Sequence, residues 1–162
     1  MSFRKLAENM NYVMAAIASA LLLGALGIQY IGRYAPCHIC HWQRWPLFAA
    51  VFVGIVGGIV TQGGNLAARK ALIAATIVLV AISGLIGIYH TGIEMFWWPG
   101  PSTCTGPLFV LGAPVDPNAY KIVPCDKPAL LIFGLSLASY NAIICLGSAF
   151  ATALMVRKAK IA

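Results

Sequence analysis

Apolar residues in this chain come in long unbroken runs, not in the short alternations of a half-buried strand. Four runs stand out: Val13–Ile31, Trp45–Val60, Ala71–Tyr89 and Leu130–Val156. About 20 apolar residues in helical form cross the hydrocarbon core of a bilayer, so each run reads as a transmembrane helix. The second is short, and extends toward Gln43 once Arg44 snorkels to the membrane rim. The fourth is long enough to tilt or protrude. None alternates as a barrel strand would. The pattern predicts an all-α membrane protein, a single four-transmembrane-helix bundle over residues 1–162 with one short loop, 32–44, and one long loop, 90–129, on the same side.

Composition agrees. The chain is 60% hydrophobic and only 9% charged, with a mean hydropathy of +0.85, whereas a soluble domain carries about a quarter charged residues. The basic residues orient the bundle. With four spans, both termini share a side with the loop 61–70. That side carries Arg4, Lys5, Arg69, Lys70, Arg157, Lys158 and Lys160 against a single acid, Glu8. The other side carries Arg33, Arg44, Lys121 and Lys127 against Glu94, Asp116 and Asp126. The positive-inside rule puts both termini in the cytoplasm and both named loops on the outer side. The net charge of +7 follows from that bias. It does not indicate nucleic-acid binding, because the charges flank spans and form no patch. The first run is read as a retained helix and not a signal peptide, since it is long and no small-x-small cleavage site follows it. Small residues at four-residue spacing, Ala16-Ala20-Gly24 and Gly54-Gly58, are expected to let helices approach closely within the chain.

Four of the five cysteines then fall on the outer side, in two pairs: Cys37 with Cys40, and Cys104 with Cys125. Disulfides persist in that compartment. A Cys-x-x-Cys pair closes almost no loop, so it braces a fold poorly. It suits exchange, because each thiol resolves a bond made by the other. Cys145 lies mid-span in the fourth run and reads as a small buried apolar side chain.

The stretch Pro36-Cys37-His38-Ile39-Cys40-His41-Trp42-Gln43-Arg44-Trp45-Pro46 carries the chemistry. Cys40 falls near the start of the second helix, where the dipole favours a thiolate. Arg44, four residues on, shares its face. Cys37 reads as the exposed, attackable sulfur and Cys40 as the stabilised leaving group. Arg44 is either a snorkelling anchor or a hydrogen-bond donor to the carbonyl oxygen of a lipid-soluble acceptor. Pro46 is expected in the first turns of the helix, where its missing N–H costs least. The same stretch contains C-x-x-C-H, the c-type haem attachment pattern, with His41 as iron ligand. That reading leaves Cys104 and Cys125 without a task, and the loop is too small to wrap a haem. A zinc site on the cysteines with His38 or His41 is weaker still, because a structural zinc wants four ligands in a closed shell; no metal is expected.

The loop 90–129 is rich in proline, so long helices are not expected there. Phe96, Trp97 and Trp98 read as an interfacial belt, and Leu108–Leu111 as a short segment able to lie on the membrane surface. Cys104 and Cys125 either tether the loop by a structural disulfide or carry a disulfide between a soluble partner and the membrane-rim pair. His90, at the outer end of the third run, is either an interfacial hydrogen-bonder or a neighbour of the acceptor site.

These residues, with Tyr89-His90, Trp97-Trp98-Pro99-Gly100-Pro101-Ser102-Thr103-Cys104 and Val123-Pro124-Cys125-Asp126, resemble the disulfide bond formation protein B (DsbB) family of bacterial inner-membrane oxidoreductases. The resemblance covers nearly the whole chain. It implies a protein-dithiol:quinone oxidoreductase that supports disulfide formation in the periplasm. The implied partner is a periplasmic thioredoxin-like dithiol protein of the DsbA type, and the implied cofactor a membrane quinone, ubiquinone or menaquinone. The implied relay runs through Cys104, Cys125, Cys37 and Cys40, with Arg44 and His90 at the quinone. The vitamin K epoxide reductase type is the nearest rival enzyme class. There the loop pair precedes the rim Cys-x-x-Cys, whereas here it follows. A haem-bearing membrane subunit is the rival from a different class, and a Soret band would distinguish it.

Overall fold

The computed structural model describes residues 9–60, 65–104 and 121–158. Four helices carry the architecture: α1 Met10–Tyr30, α2 His38–Val60, α3 Leu66–Glu94 and α4 Leu137–Lys158. All four are long and apolar enough to cross a membrane. The fold is a four-helix all-α bundle. Each helix packs chiefly on its neighbour in the chain, α1 on α2, α2 on α3 and α3 on α4. Short connections join α1 to α2 and α2 to α3, whereas α3 and α4 pack together across the long loop.

The bundle is apolar outside and partly polar inside. Leu23, Phe52, Ile59, Val78, Leu85, Ile143 and Phe150 are exposed on its flanks, as a surface meeting lipid requires. Asn11, Gln43, Thr76, Ser83, Asn141 and Thr152 are buried between the helices. Polar side chains in a span are satisfied across helices, not by solvent. The Ser83 hydroxyl donates to the Gln43 carbonyl at 2.9 Å, and the Asn141 amide donates to the Ser83 carbonyl at 3.0 Å. This ladder locks α2, α3 and α4 together beside the apolar core of Met14, Ala18, Leu22, Leu47, Ala50, Val80 and Cys145. Cys145 is fully buried there, as the sequence suggests.

The small-residue stripes divide. A Cβ on Gly54 would lie 2.8 Å from the Asn11 carbonyl oxygen and 2.9 Å from the Ala15 Cβ, so α1 and α2 touch through this glycine. Ala16, Ala20 and Gly24 do not serve the same purpose. They are exposed, and nothing lies within 4 Å of a Cβ built on Gly24. α1 instead turns Ala15, Ala18 and Leu22 inward.

All four helix starts differ from the hydropathy reading: α1 begins at Met10 and α3 runs from Leu66 to Glu94, taking in His90, and the other two change the local chemistry more. α2 begins at His38, a full two turns before Trp45. Pro46 is therefore in the helix interior and leaves the Trp42 carbonyl without its usual i+4 donor. At the other end, Leu131–Ile132 and Leu135–Ser136 pair as a small antiparallel hairpin, β3 and β4, so α4 begins only at Leu137. Gly134 takes a φ of +80° at the turn, a conformation glycine adopts without strain. The surface segment expected at Leu108–Leu111 lies outside the described residues.

Candidate functional site

The two loops are drawn together by backbone pairing. Tyr34–Ala35 (β1) runs parallel to Lys121–Ile122 (β2), with Ala35 opposite Ile122. Cys37 follows β1 by two residues and Cys125 follows β2 by three, so the short ribbon sets the two side by side. Cys104 arrives by another route. After α3, Phe96 adopts a left-handed φ of 58° and the chain folds back on the helix. Trp98 lies across Gly92, stacks on Tyr89 and donates from its indole N–H to the Tyr89 carbonyl at 2.9 Å. The belt tryptophan thus aims the following segment, which ends in a 3₁₀ turn at Ser102–Cys104.

Cys104 and Cys125 are joined by a disulfide, with Cα atoms 5.3 Å apart. Both are buried, Cys125 at 1% exposure and Cys104 at 7%. They share an apolar cluster with Ile39 and Ile93, and Cys37 packs against that cluster. The loop disulfide and the Cys-x-x-Cys pair are therefore neighbours, although 67 residues separate Cys37 from Cys104 in the sequence.

Cys37 and Cys40 are free thiols with sulfurs 2.7 Å apart. Cys37 occupies the cap position of α2. Its carbonyl accepts from the His41 N–H, and its sulfur accepts from the Cys40 N–H at 3.2 Å. The hydrogen bond that Cys37 donates to Cys40, reinforced by burial, pushes the Cys37 thiol well above its ordinary range. Cys37 is thus the proton-bearing partner and Cys40 the acceptor. Cys37 is only half-buried and packed against the cluster that holds the loop disulfide, so it is not the openly exposed sulfur that the sequence suggests.

Arg44 lies one turn beyond Cys40. Its guanidinium donates to the Gln29 side-chain oxygen and, at 3.3 Å, to the Ala25 carbonyl, which anchors it toward α1. His90 is buried at 4% exposure. Its Nδ1 is 3.1 Å from the Gln43 amide nitrogen, which leaves the ring proton on Nε2. Nε2 lies 3.6 Å from the Cys37 sulfur and 3.9 Å from Glu94 Oε1. The ring also has a backbone hydrogen-bond partner in Cys125. His90 therefore touches both cysteine pairs.

The rim pair, Arg44 and His90, but not the loop disulfide, border one cavity of about 240 Å³. Cys37, Cys40, Gln43, Arg44, His90 and Glu94 form its polar end. The exposed stripe Ala20–Gly24 forms part of its opposite wall, with Leu21, Ile28, Leu47 and Leu137. The small side chains of α1 make room for the cavity. A concave, mostly apolar site with a few convergent polar groups is the usual form of a small-molecule pocket.

Cys37, Cys40 and His90 present ligand atoms within 4.8 Å of one another, close enough to share a metal ion. His38 and His41, considered with the cysteines for haem or zinc, lie instead on the exposed side of α2, where His38 packs on Trp42. Gln43 and Glu94 were not singled out by the sequence. The signal for Glu94 was present: an acid at the end of an apolar run, one helical turn after a histidine.

The family model described as "Disulfide bond formation protein DsbB" matches residues 7–155. The chain belongs to the DsbB family. "Disulfide bond formation protein B 1" of Pseudomonas syringae pv. syringae (strain B728a) is 31% identical over 138 residues, covering 79% of this chain and 76% of the relative. Its namesake in Pseudomonas savastanoi pv. phaseolicola (strain 1448A / Race 6) is 30% identical over the same length, with the same coverage. "Uncharacterized protein RP370" of Rickettsia prowazekii (strain Madrid E) is 24% identical over 141 residues, covering 83% of this chain and 79% of the relative. No solved structure matches. With its four spans, the chain is a multi-pass membrane protein of the DsbB family, a family of disulfide bond formation proteins that carry paired cysteines.

Proposed function

We propose that this protein is a protein-dithiol:quinone oxidoreductase. It would reoxidise a periplasmic thioredoxin-like protein of the DsbA type and pass the electrons to ubiquinone or menaquinone in the inner membrane. The observation that carries this reading is the place of Cys37, which packs against the apolar cluster that holds the Cys104–Cys125 disulfide and also borders the apolar cavity. In this reading one pair faces a soluble donor and the other a lipid-soluble acceptor, with Cys37 beside both.

The difference in burial supports the order of the relay. Cys104, the less buried residue of the loop disulfide, is attacked by the donor thiolate, and Cys125 leaves. Cys125 attacks Cys37 of an oxidised rim pair, and Cys40 is released as a thiolate at the cavity. The donor's second thiol frees Cys104, and closure of Cys104 on Cys125 restores the loop disulfide and leaves Cys37 and Cys40 as a dithiol. That dithiol loses two electrons and two protons, the sulfurs rebond, and the quinone becomes quinol. Arg44, already on the cavity wall, would donate to a quinone oxygen and stabilise the charge that develops there. His90 would face the same oxygen through Nε2–H.

Both termini are assigned to the cytoplasm on the charge bias, which places all four of these cysteines on the periplasmic side. The deciding experiment is quinone reduction by the purified protein with a reduced thioredoxin-like donor. Quinone should be consumed in proportion to donor thiols. Donor oxidation without quinol, or no donor oxidation, would refute the assignment. In reduced intact cells a membrane-impermeant maleimide should label the outer cysteines. Labelling only after lysis would reverse the orientation.

A further inference from the structure

Glu94 is an acid buried where acids are costly. It is the last residue of α3, and its side chain is only 8% exposed. Among the described residues it is the one acid on the cavity wall. A buried ionisable group at the edge of an apolar cavity asks for a functional explanation. Pairing does not supply one. His90 Nε2 is 3.9 Å from Oε1, beyond hydrogen-bond length. Ser136 reaches the carboxyl, yet Oε2 is buried with no hydrogen-bond partner. An unpartnered buried oxygen carries an uncompensated desolvation cost. It is a position where a proton can be taken up and given away.

The reaction proposed above has a use for such a position. Cys37 must shed its proton before its sulfur can close on Cys40, and the acceptor must gain protons inside the cavity. We propose that Glu94 is the internal proton carrier of this centre, taking the proton that Cys37 releases and delivering it to the acceptor oxygen in the cavity. The inference rests on the quinone reading. The balance is simple. The Cys37 S–H bond breaks and the proton goes to the Glu94 carboxylate. The electron pair passes from Cys37 and the Cys40 thiolate to the quinone as the S–S bond forms. The carboxylic acid then gives its proton to one quinone oxygen, and the second proton of the quinol is the one released to the aqueous side when the donor dithiol became a disulfide. His90 stands between Cys37 and Glu94, with Nε2 3.6 Å from the sulfur and 3.9 Å from Oε1.

The test uses the full chain in detergent, with its four outer cysteines reduced, and follows one turnover of added ubiquinone. Glu94→Gln keeps the shape and removes the carrier. It should slow quinone reduction by about a hundredfold, the lower range for a positioned proton-transfer group, with quinone affinity within about twofold and donor exchange at Cys104–Cys125 unchanged. Glu94→Asp should recover part of the rate. A larger solvent deuterium isotope effect in Glu94→Gln than in the unaltered protein is also expected. A wild-type rate in Glu94→Gln, or a loss confined to quinone affinity, would overturn the proposal. So would equal damage to exchange and quinone reduction. Should Glu94→Gln not fold, infrared difference spectra of the unaltered protein decide the matter. A carboxylic C=O band must change on turnover, and its absence overturns the proposal. If the unaltered protein reduces no quinone at all, the functional reading fails first and this inference falls with it. If it does reduce quinone, only the role of Glu94 is at stake.

Discussion

The two cysteine pairs of this protein sit side by side in different surroundings. Cys104 and Cys125 are held by loop segments, joined by a disulfide, and enclosed by Ile39 and Ile93. Cys37 and Cys40 are held by the first turn of a membrane helix, are thiols, and face Gln43, Arg44, His90 and Glu94 across a cavity. The apolar shell offers no stabilisation to a thiolate, so an opened loop disulfide is driven to reclose. The polar rim offers hydrogen bonds and a guanidinium to developing charge. Under the proposed function the contrast would give each pair one direction of traffic, with thiols exchanged at the loop and electrons leaving at the rim. Cys37 belongs to both environments, because it packs against the cluster that holds the disulfide and lines the cavity.

The largest effect should come from separating the pairs. Replacing any one of Cys37, Cys40, Cys104 or Cys125 with Ser should abolish donor-dependent turnover, because each is an obligatory exchange partner. The partial reactions should split. Cys104→Ser and Cys125→Ser should still reduce quinone when a small membrane-permeant dithiol reduces the rim pair directly. Cys37→Ser and Cys40→Ser should still exchange the loop disulfide with the donor and yield no quinol. Quinone reduction that survives in Cys40→Ser would collapse the distinction between the pairs.

Next in size is Arg44. Arg44→Ala should cost about 1.5–3 kcal/mol in quinone reduction, the range for a charge-assisted hydrogen bond, and leave donor exchange untouched. Lysine should restore part of it, having the charge without the planar fork. Unchanged quinone kinetics would make Arg44 a membrane anchor. The opposite wall offers an apolar counterpart. Gly24→Leu adds bulk where a new side chain meets nothing within 4 Å of its Cβ, so folding should tolerate it while the cavity shrinks. Quinone KM should rise about tenfold, the scale of a filled hydrophobic pocket, with thiol exchange as before. An unaltered KM would mean the acceptor does not enter between α1 and α4.

Hydropathy made the bundle legible, because apolar runs with few charges have little choice in a bilayer. It misjudged the ends of runs for physical reasons. Gln43 and Arg44 look like the polar edge of a span, yet they point inward to the cavity from a helix that has already begun at His38. Leu130–Ser136 looks like span, yet its backbone turns at Phe133 and Gly134 through positive φ, which an apolar count does not register. The redox residues were legible one at a time. Their assembly was not, since it depends on a two-residue pairing of β1 with β2 and on Trp98 folding back over Gly92. His90 stood out because histidine is rare in apolar runs. Glu94 did not, because a charge at the end of a run reads as solvated until its burial is known.

The smallest expected effect concerns the fifth cysteine, which tests whether environment alone separates redox from structural sulfur. Cys145 is fully buried in the bundle core and donates weakly to Asn141 Oδ1 at 3.4 Å. No second thiol neighbours it in the cluster it shares with Met14, Leu47 and Val80. Cys145→Ala removes one sulfur and one weak donor, so it should lower stability by about 1 kcal/mol and leave donor oxidation and quinone reduction at their original rates. Cys145→Ser should lose less stability, because a hydroxyl keeps the bond to Asn141, whose amide in turn holds Ser83 and through it the Gln43 carbonyl. Thermal unfolding in detergent, alongside turnover, reads both quantities. A well-folded Cys145→Ala protein that has lost activity would show that the ladder through Asn141 and Ser83 transmits to Gln43 and His90. The boundary between the redox rim and the structural core would then lie deeper than the cavity.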